Sequence, residues 1–247
     1  MAKYVVSKEF EKLNIGFALD EGLASEDNDI PLFYGERNSY TVKFKCTGNP
    51  GHGSRFIENT AAEKAQYLIN KLLNFRSEQK TNFENDDSLT LGDFTTVNLT
   101  YMSGGVQNNV VPNEFIIGFD IRITPTTPME KFEAMISKWV EEAGSGIEIQ
   151  CEEKTINKNL SSVAKEDPWY QAFMRGAKKH NLQIVPRIFP AATDSRYLRD
   201  IGIPAFGFSP MNNTPILLHD HNEFLNEKIF LKGINIFCEI IAEMASV

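Results

Sequence analysis

Tyr40-Thr41-Val42-Lys43-Phe44-Lys45-Cys46 opens the stretch of sequence that decides the fold of this chain. Its apolar residues alternate with threonine and lysine, which is typical of a β-strand with one face in water. Thr60-Ala61-Ala62-Glu63 is a capping box, and the apolar residues at helical spacing after it predict a helix of about four turns. The series continues with strands at 97–101 and 115–123, a second capping box at Thr127-Pro128-Met129-Glu130 that opens a helix, and a strand at 147–151.

This order of elements over residues 39–154 is that of the ferredoxin-like βαββαβ split motif, an antiparallel sheet with two helices on one face. The segments on either side contain short continuous apolar runs, which are typical of strands buried on both faces. We therefore predict an α/β fold in which one α/β domain, residues 1–38 and 155–247, is interrupted by an inserted domain, residues 39–154. Residues 23–38 are rich in Asp, Glu, Asn, Pro and Gly and are interpreted as the crossing between the two.

The composition excludes several classes of function. The 247 residues include 25 Lys and Arg against 33 Asp and Glu, a net charge of -8 that argues against nucleic-acid binding. No stretch approaches the ~20 apolar residues of a membrane helix, so no membrane partner is predicted. Cys46, Cys151 and Cys238 are widely spaced, which argues against a disulfide framework or a cysteine zinc site. Charged residues come too early for a signal peptide, so we predict a cytoplasmic protein.

Two segments carry residue types that bind metals. An apolar run at residues 15–19 predicts a strand, and Asp20-Glu21 follow at its carboxyl end, where open α/β sheets place their ligands. These carboxylates suit a metal ion and equally a hydrogen-bonded turn. In His219-Asp220-His221, two imidazoles at i and i+2 of an extended segment face the same way. The alternative is a solvated loop before the last helix, with Asn222 as the helix cap.

Four further residues are candidates for binding or catalysis. His52 lies between two glycines in a loop, where a lone histidine is usually a surface residue. Asn109 lies in a hairpin-like connection and suits a turn. Arg122 points to the sheet face that the helices do not cover, and suits either an ion pair with Asp120 or a fork for a carboxylate. Asp194 opens a short helix, either as its N-cap or beside backbone amides that suit an anion.

Taken together, these segments and several others resemble the aminoacylase family of zinc-dependent N-acyl-L-amino-acid amidohydrolases, and the resemblance covers nearly the whole chain. The segments are Ala18-Leu19-Asp20-Glu21-Gly22, Gly51-His52-Gly53-Ser54-Arg55-Phe56, Thr60-Ala61-Ala62-Glu63-Lys64, Ala191-Ala192-Thr193-Asp194 and Leu217-Leu218-His219-Asp220-His221, together with 97–100, 104–106, 109–112, 196–197 and 207–212.

The resemblance implies hydrolysis of N-acyl-L-amino acids to a carboxylate and a free L-amino acid. It also implies a zinc-peptidase α/β catalytic domain with two zinc ions and a ferredoxin-like lid domain through which a homodimer forms. Glu21 is then a ligand of one zinc and His219 of the other. His52 crosses the dimer interface to stabilise the oxyanion, Asn109 lies beside it, and Arg122 grips the substrate carboxylate.

The same match makes Asp194 and Arg196 candidate substrate-binding residues. In the family, the remaining zinc ligands and the glutamate that acts as general base precede the strand that ends in Asp20-Glu21-Gly22. This chain begins after them, so we expect an N-terminally truncated form that is inactive by itself. Two alternatives stay open: a related zinc carboxypeptidase or desuccinylase, and a non-catalytic dimerisation or regulatory fragment.

Overall fold

The computed structural model describes residues 2–156 and 159–247, in two compact units, Met1–Glu36 with Asn157–Val247 and Arg37–Ile156. The helices are α1 (Lys8–Glu11), α2 (Ala61–Glu84), α3 (Met129–Ala143), α4 (Pro168–Lys179), α5 (Ser195–Asp200) and α6 (Glu227–Met244). The strands are β1 (Ala18–Asp20), β2 (Asp29–Glu36), β3 (Asn38–Thr47), β4 (Gly51–His52), β5 (Thr96–Gly104), β6 (Val110–Val111), β7 (Glu114–Ile123), β8 (Ile147–Lys154), β9 (Gln183–Phe189) and β10 (Ala205–Phe208). A short 3₁₀-helix covers Leu91–Asp93.

The unit Arg37–Ile156 is built on an antiparallel sheet in the order β5-β7-β3-β8. Apolar side chains of α2 and α3 pack with those of β3 and β7 into one core, in which Phe44 and Phe119 are fully buried. The chain order β3, α2, β5, β7, α3, β8 is the one that the alternating apolar pattern predicts. The predicted α/β fold class is thereby confirmed.

Two local predictions in this unit are wrong. α2 has 24 residues, or nearly seven turns at 3.6 residues a turn, because aromatic contacts of Phe75 with Phe132 and of Phe83 with Phe94 hold its second half. The capping box predicted at 127–130 does not form. Pro128 occupies the N-cap of α3, and its ring offers no oxygen to accept a hydrogen bond.

The other unit contains a mixed sheet in the order β1-β10-β2-β9. β1 runs parallel to β10, β10 antiparallel to β2, and β2 parallel to β9. α4 and α6 pack against each other and contribute Phe173 and Ile240 to a core with Phe206 and Phe208 of β10. No helix in residues 2–156 and 159–247 is both long enough and apolar enough to cross a bilayer.

Two strands of this sheet differ from the sequence-based prediction. Residues 23–38 are not simply a crossing, because β2 lies within them and buries Ile30 and Leu32 in spite of its Asp, Pro and Gly residues. The strand predicted at 15–19 is found as β1, Ala18–Asp20, and it is only half-buried. β1 forms one edge of the sheet and, within the described residues, pairs with β10 alone, so it lacks the second neighbour of a central strand there.

We expect the Thr60→Ala variant to lose about 1 kcal/mol of unfolding free energy in urea denaturation, the usual cost of deleting an N-cap. Thr60 Oγ1 accepts the Glu63 N–H at 3.2 Å, and Glu63 Oε2 accepts the Thr60 N–H at 2.9 Å. The Thr60 N–H and the Thr60 hydroxyl, which donates to Glu63 Oε2 at 2.9 Å, lower the pKa of the Glu63 carboxyl. The stability that these two bonds give is lost as the pH falls through that lowered pKa, so the effect of the variant should shrink in acid. Ser77→Ala within the same helix is the control and should cost almost nothing.

Candidate functional site

Asp20 joins the end of β1 to the start of α5. Its Oδ2 accepts hydrogen bonds from the Ser195 N–H at 3.0 Å and the Ser195 hydroxyl at 2.7 Å. Its Oδ1 accepts the Glu21 N–H at 2.9 Å. Burial by itself would raise the pKa of Asp20, but these hydrogen bonds outweigh it and the pKa lies below its usual value. Asp20 therefore adopts the hydrogen-bonded alternative and anchors the loop that precedes α5.

Glu21 is exposed beside this anchor. The negative charge of Asp20, and to a smaller extent partial burial, raises the pKa of Glu21. The following residue, Gly22, donates its N–H to Ser209 Oγ at 3.0 Å, and a Cβ at this glycine would lie 2.9 Å from the Ser209 nitrogen. The backbone around Glu21 is thus fixed by close packing. A cation at Glu21 would relieve the repulsion from Asp20.

His219 lies in a turn, and the extended segment predicted at 219–221 is wrong. The backbone of His219 is left-handed, with φ of +62°, and the Asp220 N–H donates to the Leu217 oxygen at 2.9 Å. This turn removes the i and i+2 alternation that placed both imidazoles on one side. The cap predicted at Asn222 is also wrong, because Asn226 caps α6 through a hydrogen bond from the Lys228 N–H.

The carboxylates and imidazoles present do not make a complete zinc site. Within residues 2–156 and 159–247, no group of three or more His, Cys, Asp and Glu side chains is placed to hold a metal ion. A hydrolytic zinc site typically has three protein ligands and an open position. Glu21 and His219, one carboxylate and one imidazole, do not reach that number.

The candidate substrate residues Asp194 and Arg196 flank the start of α5. Asp194 occupies the N-cap position with helical φ and ψ, and its side chain makes no capping hydrogen bond. The N–H of the next residue, Ser195, donates to Asp20. The Arg196 guanidinium stacks on the Tyr197 ring at 4.8 Å and donates to its hydroxyl at 2.9 Å. Arg196 Nε is buried and has no hydrogen-bond partner in the described part of the chain. A buried unpaired guanidinium N–H favours an anionic acceptor.

A buried ion pair that the sequence did not reveal supports this loop. Arg199 donates to Glu36 at 3.1 Å, and the two side chains are 4% and 1% exposed. Glu36 also accepts the Thr193 N–H, and so ties the residue before Asp194 to the end of β2. Burial raises the pKa of Glu36 in spite of these partners. Glu36 was missed because it lies in the segment interpreted as a crossing.

His52 and Asn109 are brought together by a two-stranded ribbon in the unit Arg37–Ile156. β4 pairs with β6, and the Gly53 N–H donates to the Asn109 oxygen at 2.8 Å. His52 Nε2 then lies 3.5 Å from Asn109 Nδ2, although the residues are 57 positions apart. His52 Nδ1 lies 2.8 Å from Ser54 Oγ and accepts the Ser54 N–H at 3.3 Å, and in the tautomer in which Nδ1 is the acceptor the ring proton is on Nε2. His52 Nε2 and Asn109 Nδ2 are then both hydrogen-bond donors.

Arg122, in the same unit, is already paired. Its Nε and Nη2 donate to the two carboxylate oxygens of Asp120 at 2.9 and 2.8 Å, and its Nη1 donates to Ser39 Oγ at 2.6 Å. The hydrogen bond with Asp120 raises the pKa of Arg122. The structure therefore contains the ion pair that was one of the two predicted roles. A substrate carboxylate would compete with Asp120 for the fork.

Comparison with known proteins shows which proteins this chain is similar to. Residues 34–148 match the family described as "Peptidase dimerisation domain". The chain is 46% identical over 247 residues to aminoacylase-1A of Rattus norvegicus, covering 100% of this chain and 60% of that protein. It is 46% identical over 258 residues to aminoacylase-1 of Dictyostelium discoideum, covering 62% of it. The chain thus spans about 60% of the length of these relatives.

Solved structures of lower identity share the fold. The aminopeptidase PepT of Bacillus cereus has a TM-score of 0.67 at 18% identity, over 95% of this chain and 59% of that one. An M20 family metallo-carboxypeptidase of Sulfolobus solfataricus has a TM-score of 0.63 at 15% identity, over 100% of this chain and 67% of that one. At identities of 15% and 18% this similarity shows a shared fold only.

Proposed function

We propose that this chain takes part in the hydrolysis of N-acyl-L-amino acids to a carboxylate and a free L-amino acid, because it is similar in sequence to the aminoacylase-1 proteins along its whole length. The observation that carries the proposal is the 46% identity over all 247 residues. Its test is amide hydrolysis by the chain alone and by the chain complemented with the remaining part of a relative. A complemented enzyme that leaves N-acyl-L-amino acids intact would contradict it.

His52 and Asn109 are the proposed oxyanion donors. Their Nε2 and Nδ2 nitrogens lie 3.5 Å apart, and in the tautomer with the proton on Nε2 both carry a hydrogen that a single external oxygen can accept. Both side chains are exposed, which leaves room for a substrate. Two fixed N–H donors are what a tetrahedral oxyanion requires. In the proposed homodimer this pair serves the catalytic site of the second subunit.

The other proposed contacts are divided by role. Glu21 and His219 would each give one ligand to a different zinc ion. The described residues contain no group of three or more such side chains placed to hold a metal ion, so this chain alone completes neither zinc site. Arg196, with its unpaired Nε, and Asp194 would contact the substrate near α5. Arg122 would bind the substrate carboxylate in competition with Asp120.

A non-catalytic dimerisation role is the second candidate. It is favoured by the match of residues 34–148 to a peptidase dimerisation domain. It needs neither a zinc ligand nor a general base from this chain. Turnover by the complemented chain separates the two candidates, because a purely structural module gains no activity from the part of a relative that this chain does not match.

The proposed location is the cytoplasm. Cys46 is a buried free thiol, and Cys151 and Cys238 are exposed free thiols. Exposed free thiols suit a reducing compartment, since an oxidising one would favour disulfides.

The proposed dimer forms through the free edge of β5. The strands at the two edges of the sheet differ in charge. β8 carries Glu148, Glu152, Glu153 and Lys154, the charges with which proteins protect an edge. β5 carries none over nine residues, and Tyr101 and Met102 are exposed on it. Antiparallel pairing of β5 with a second copy is a self-complementary contact about a two-fold axis.

We expect Met102→Lys to weaken the dimer at least ~10²-fold, because two-fold symmetry brings the new charges together and like charges cost several kcal/mol at an interface. Sedimentation velocity over a concentration series measures this dissociation constant. Ile149→Lys on β8 places the same charge at the opposite edge and should leave the dimer intact. A monomeric parent chain, or equal effects of the two variants, would contradict the proposed edge.

A further inference from the structure

The imidazole ring of His52 is held on its Nδ1 side by Ser54, two residues further along the chain. Ser54 Oγ lies 2.8 Å from His52 Nδ1, and the Ser54 N–H donates to the same nitrogen at 3.3 Å. The Arg55 N–H donates to the His52 oxygen at 3.0 Å, so a turn over residues 52–55 brings Ser54 back to the ring. On the other side, His52 Nε2 lies 3.5 Å from Asn109 Nδ2. The ring therefore has a polar neighbour at each nitrogen.

A neutral imidazole meets these neighbours in one of two arrangements, because it carries its proton on either Nδ1 or Nε2. With the proton on Nε2, Nδ1 accepts from the hydroxyl and the N–H of Ser54, and Nε2–H is free for an external oxygen. With the proton on Nδ1, the ring donates to Ser54 Oγ, and Nε2 accepts from Asn109 Nδ2 across 3.5 Å. The two arrangements thus present opposite groups at Nε2, a donor in the first and a lone pair in the second.

The backbone of Ser54 decides between the two arrangements. A backbone N–H only donates, so a proton on Nδ1 would place two hydrogens between nitrogens that lie 3.3 Å apart. The compensation in that arrangement is the contact with Asn109, and 3.5 Å is long for a hydrogen bond. With the proton on Nε2, both donors of Ser54 share the lone pair of Nδ1, and the hydroxyl makes the shorter contact. The geometry therefore favours the proton on Nε2.

We propose that Ser54 is a positioning residue, which holds neutral His52 in the tautomer that carries its proton on Nε2. The hydrogen bond at one nitrogen of a histidine commonly sets the role of the other. The inference rests on the proposed function, in which His52 Nε2 and Asn109 Nδ2 both donate to the oxyanion. In the other tautomer the lone pair of Nε2 would face the oxyanion and repel it. Ser54 acts through the ring and does not itself contact the substrate.

The tautomer can be measured in the 247-residue chain because the chain has four histidines. Proton–nitrogen correlation NMR of protein labelled in its histidine rings distinguishes a protonated ring nitrogen from one with a free lone pair. The variant His52→Gln assigns the signals. At about pH 9, where neutral imidazole prevails, the parent chain should carry the His52 proton on Nε2 at least about tenfold more often than on Nδ1. This ratio is the usual effect of one to two hydrogen bonds.

Variants of Ser54 test the hydroxyl separately from the backbone. Ser54→Ala removes the hydroxyl and should lower the tautomer ratio about three- to tenfold, the usual effect of one hydrogen bond. Ser54→Thr keeps a hydroxyl and should restore the ratio. Ser145→Ala, at an exposed serine before β8 in the same unit, is the matched control and should leave the ratio unchanged. The signals of the other three histidines show whether the fold is intact in each variant.

Hydrolysis by the complemented enzyme gives a second measurement. Ser54→Ala should lower kcat about two- to tenfold and leave KM nearly unchanged, because the weakened contact is made to the transition state. Three results would overturn the proposal: a parent chain with its His52 proton mainly on Nδ1, the same tautomer ratio in Ser54→Ala, or an active complemented enzyme with kcat unchanged by Ser54→Ala. A complemented enzyme without hydrolysis contradicts the proposed function instead, and leaves the tautomer ratio of the chain unaffected.

Discussion

The purified 247-residue chain, supplied with zinc, is expected to hydrolyse N-acetyl-L-methionine no faster than a zinc blank. A hydrolytic zinc typically needs three protein ligands and an open position for water, and the described residues do not assemble them. In the proposed enzyme the general base also comes from the complementing part. Loss of acid–base catalysis alone costs ~10²- to 10⁴-fold, and loss of the metal adds to it. Zinc should accordingly bind weakly in a dialysis measurement.

Activity is expected to appear when the part of rat aminoacylase-1A that does not align with this chain is supplied in cis or in trans. The chain corresponds to 60% of that relative, so the remainder is the natural complement. In the complemented enzyme, Asn109→Leu should lower kcat by ~10²- to 10³-fold, the effect of removing one oxyanion donor. Gln107→Leu, an exposed position of the same loop, is the matched control. Two tightly bound zinc ions with ordinary turnover by the chain alone would show that the ligand assignment is wrong.

The fold of the unit Arg37–Ile156 could be predicted from the sequence because the patterns that determine it are local. The alternation of Tyr40 to Cys46 fixes which side of β3 meets the core, and Thr60 with Glu63 marks the start of α2. The C-terminal end of α2 could not be predicted from the sequence, because it depends on contacts with aromatic side chains that are distant in the sequence. Phe83 packs on Phe94, whose place follows from the tertiary fold.

The unit that holds Glu21 and His219 was less readable because its strands depend on partners far away in the chain. β2 contains Asp29, Pro31 and Gly35, each of which argues against a strand, yet it pairs with β9 and β10 from the other end of the sequence. The turn at His219 was also not predictable, because no local sequence pattern indicates a histidine with left-handed backbone. Tertiary pairing here overrides local propensity.

The largest stability effect is expected at the buried pair of Glu36 and Arg199, where Arg199→Met should cost about 3–5 kcal/mol. Arg199 donates to Glu36 at 3.1 Å and also to the Ala205 oxygen at 3.3 and 3.2 Å. Burial lowers the pKa of Arg199 and raises that of Glu36. The free-energy cost of desolvating the two charges is therefore larger than the electrostatic attraction between them. Removal of one partner leaves the other charge buried and unpaired.

Two comparisons isolate this effect in urea denaturation. Arg175 and Glu243 form an exposed pair at 2.8 Å, and Arg175→Met should cost no more than about 1 kcal/mol. The double variant Glu36→Leu with Arg199→Met removes both charges and should be more stable than Arg199→Met alone.

The pH dependence of Arg199→Met gives a further signature with a defined sign. A carboxyl group whose pKa is raised by folding binds its proton more tightly in the native state, so its cost to stability is complete above that raised pKa. The cost disappears as the pH falls through it and the lone Glu36 becomes neutral. The loss in Arg199→Met should therefore shrink toward acid, whereas the loss in Arg175→Met should not follow that pattern. Equal losses in the two variants at neutral pH would mean that Glu36 and Arg199 are not buried together, and Glu36 would then not hold the Thr193 N–H that places Asp194.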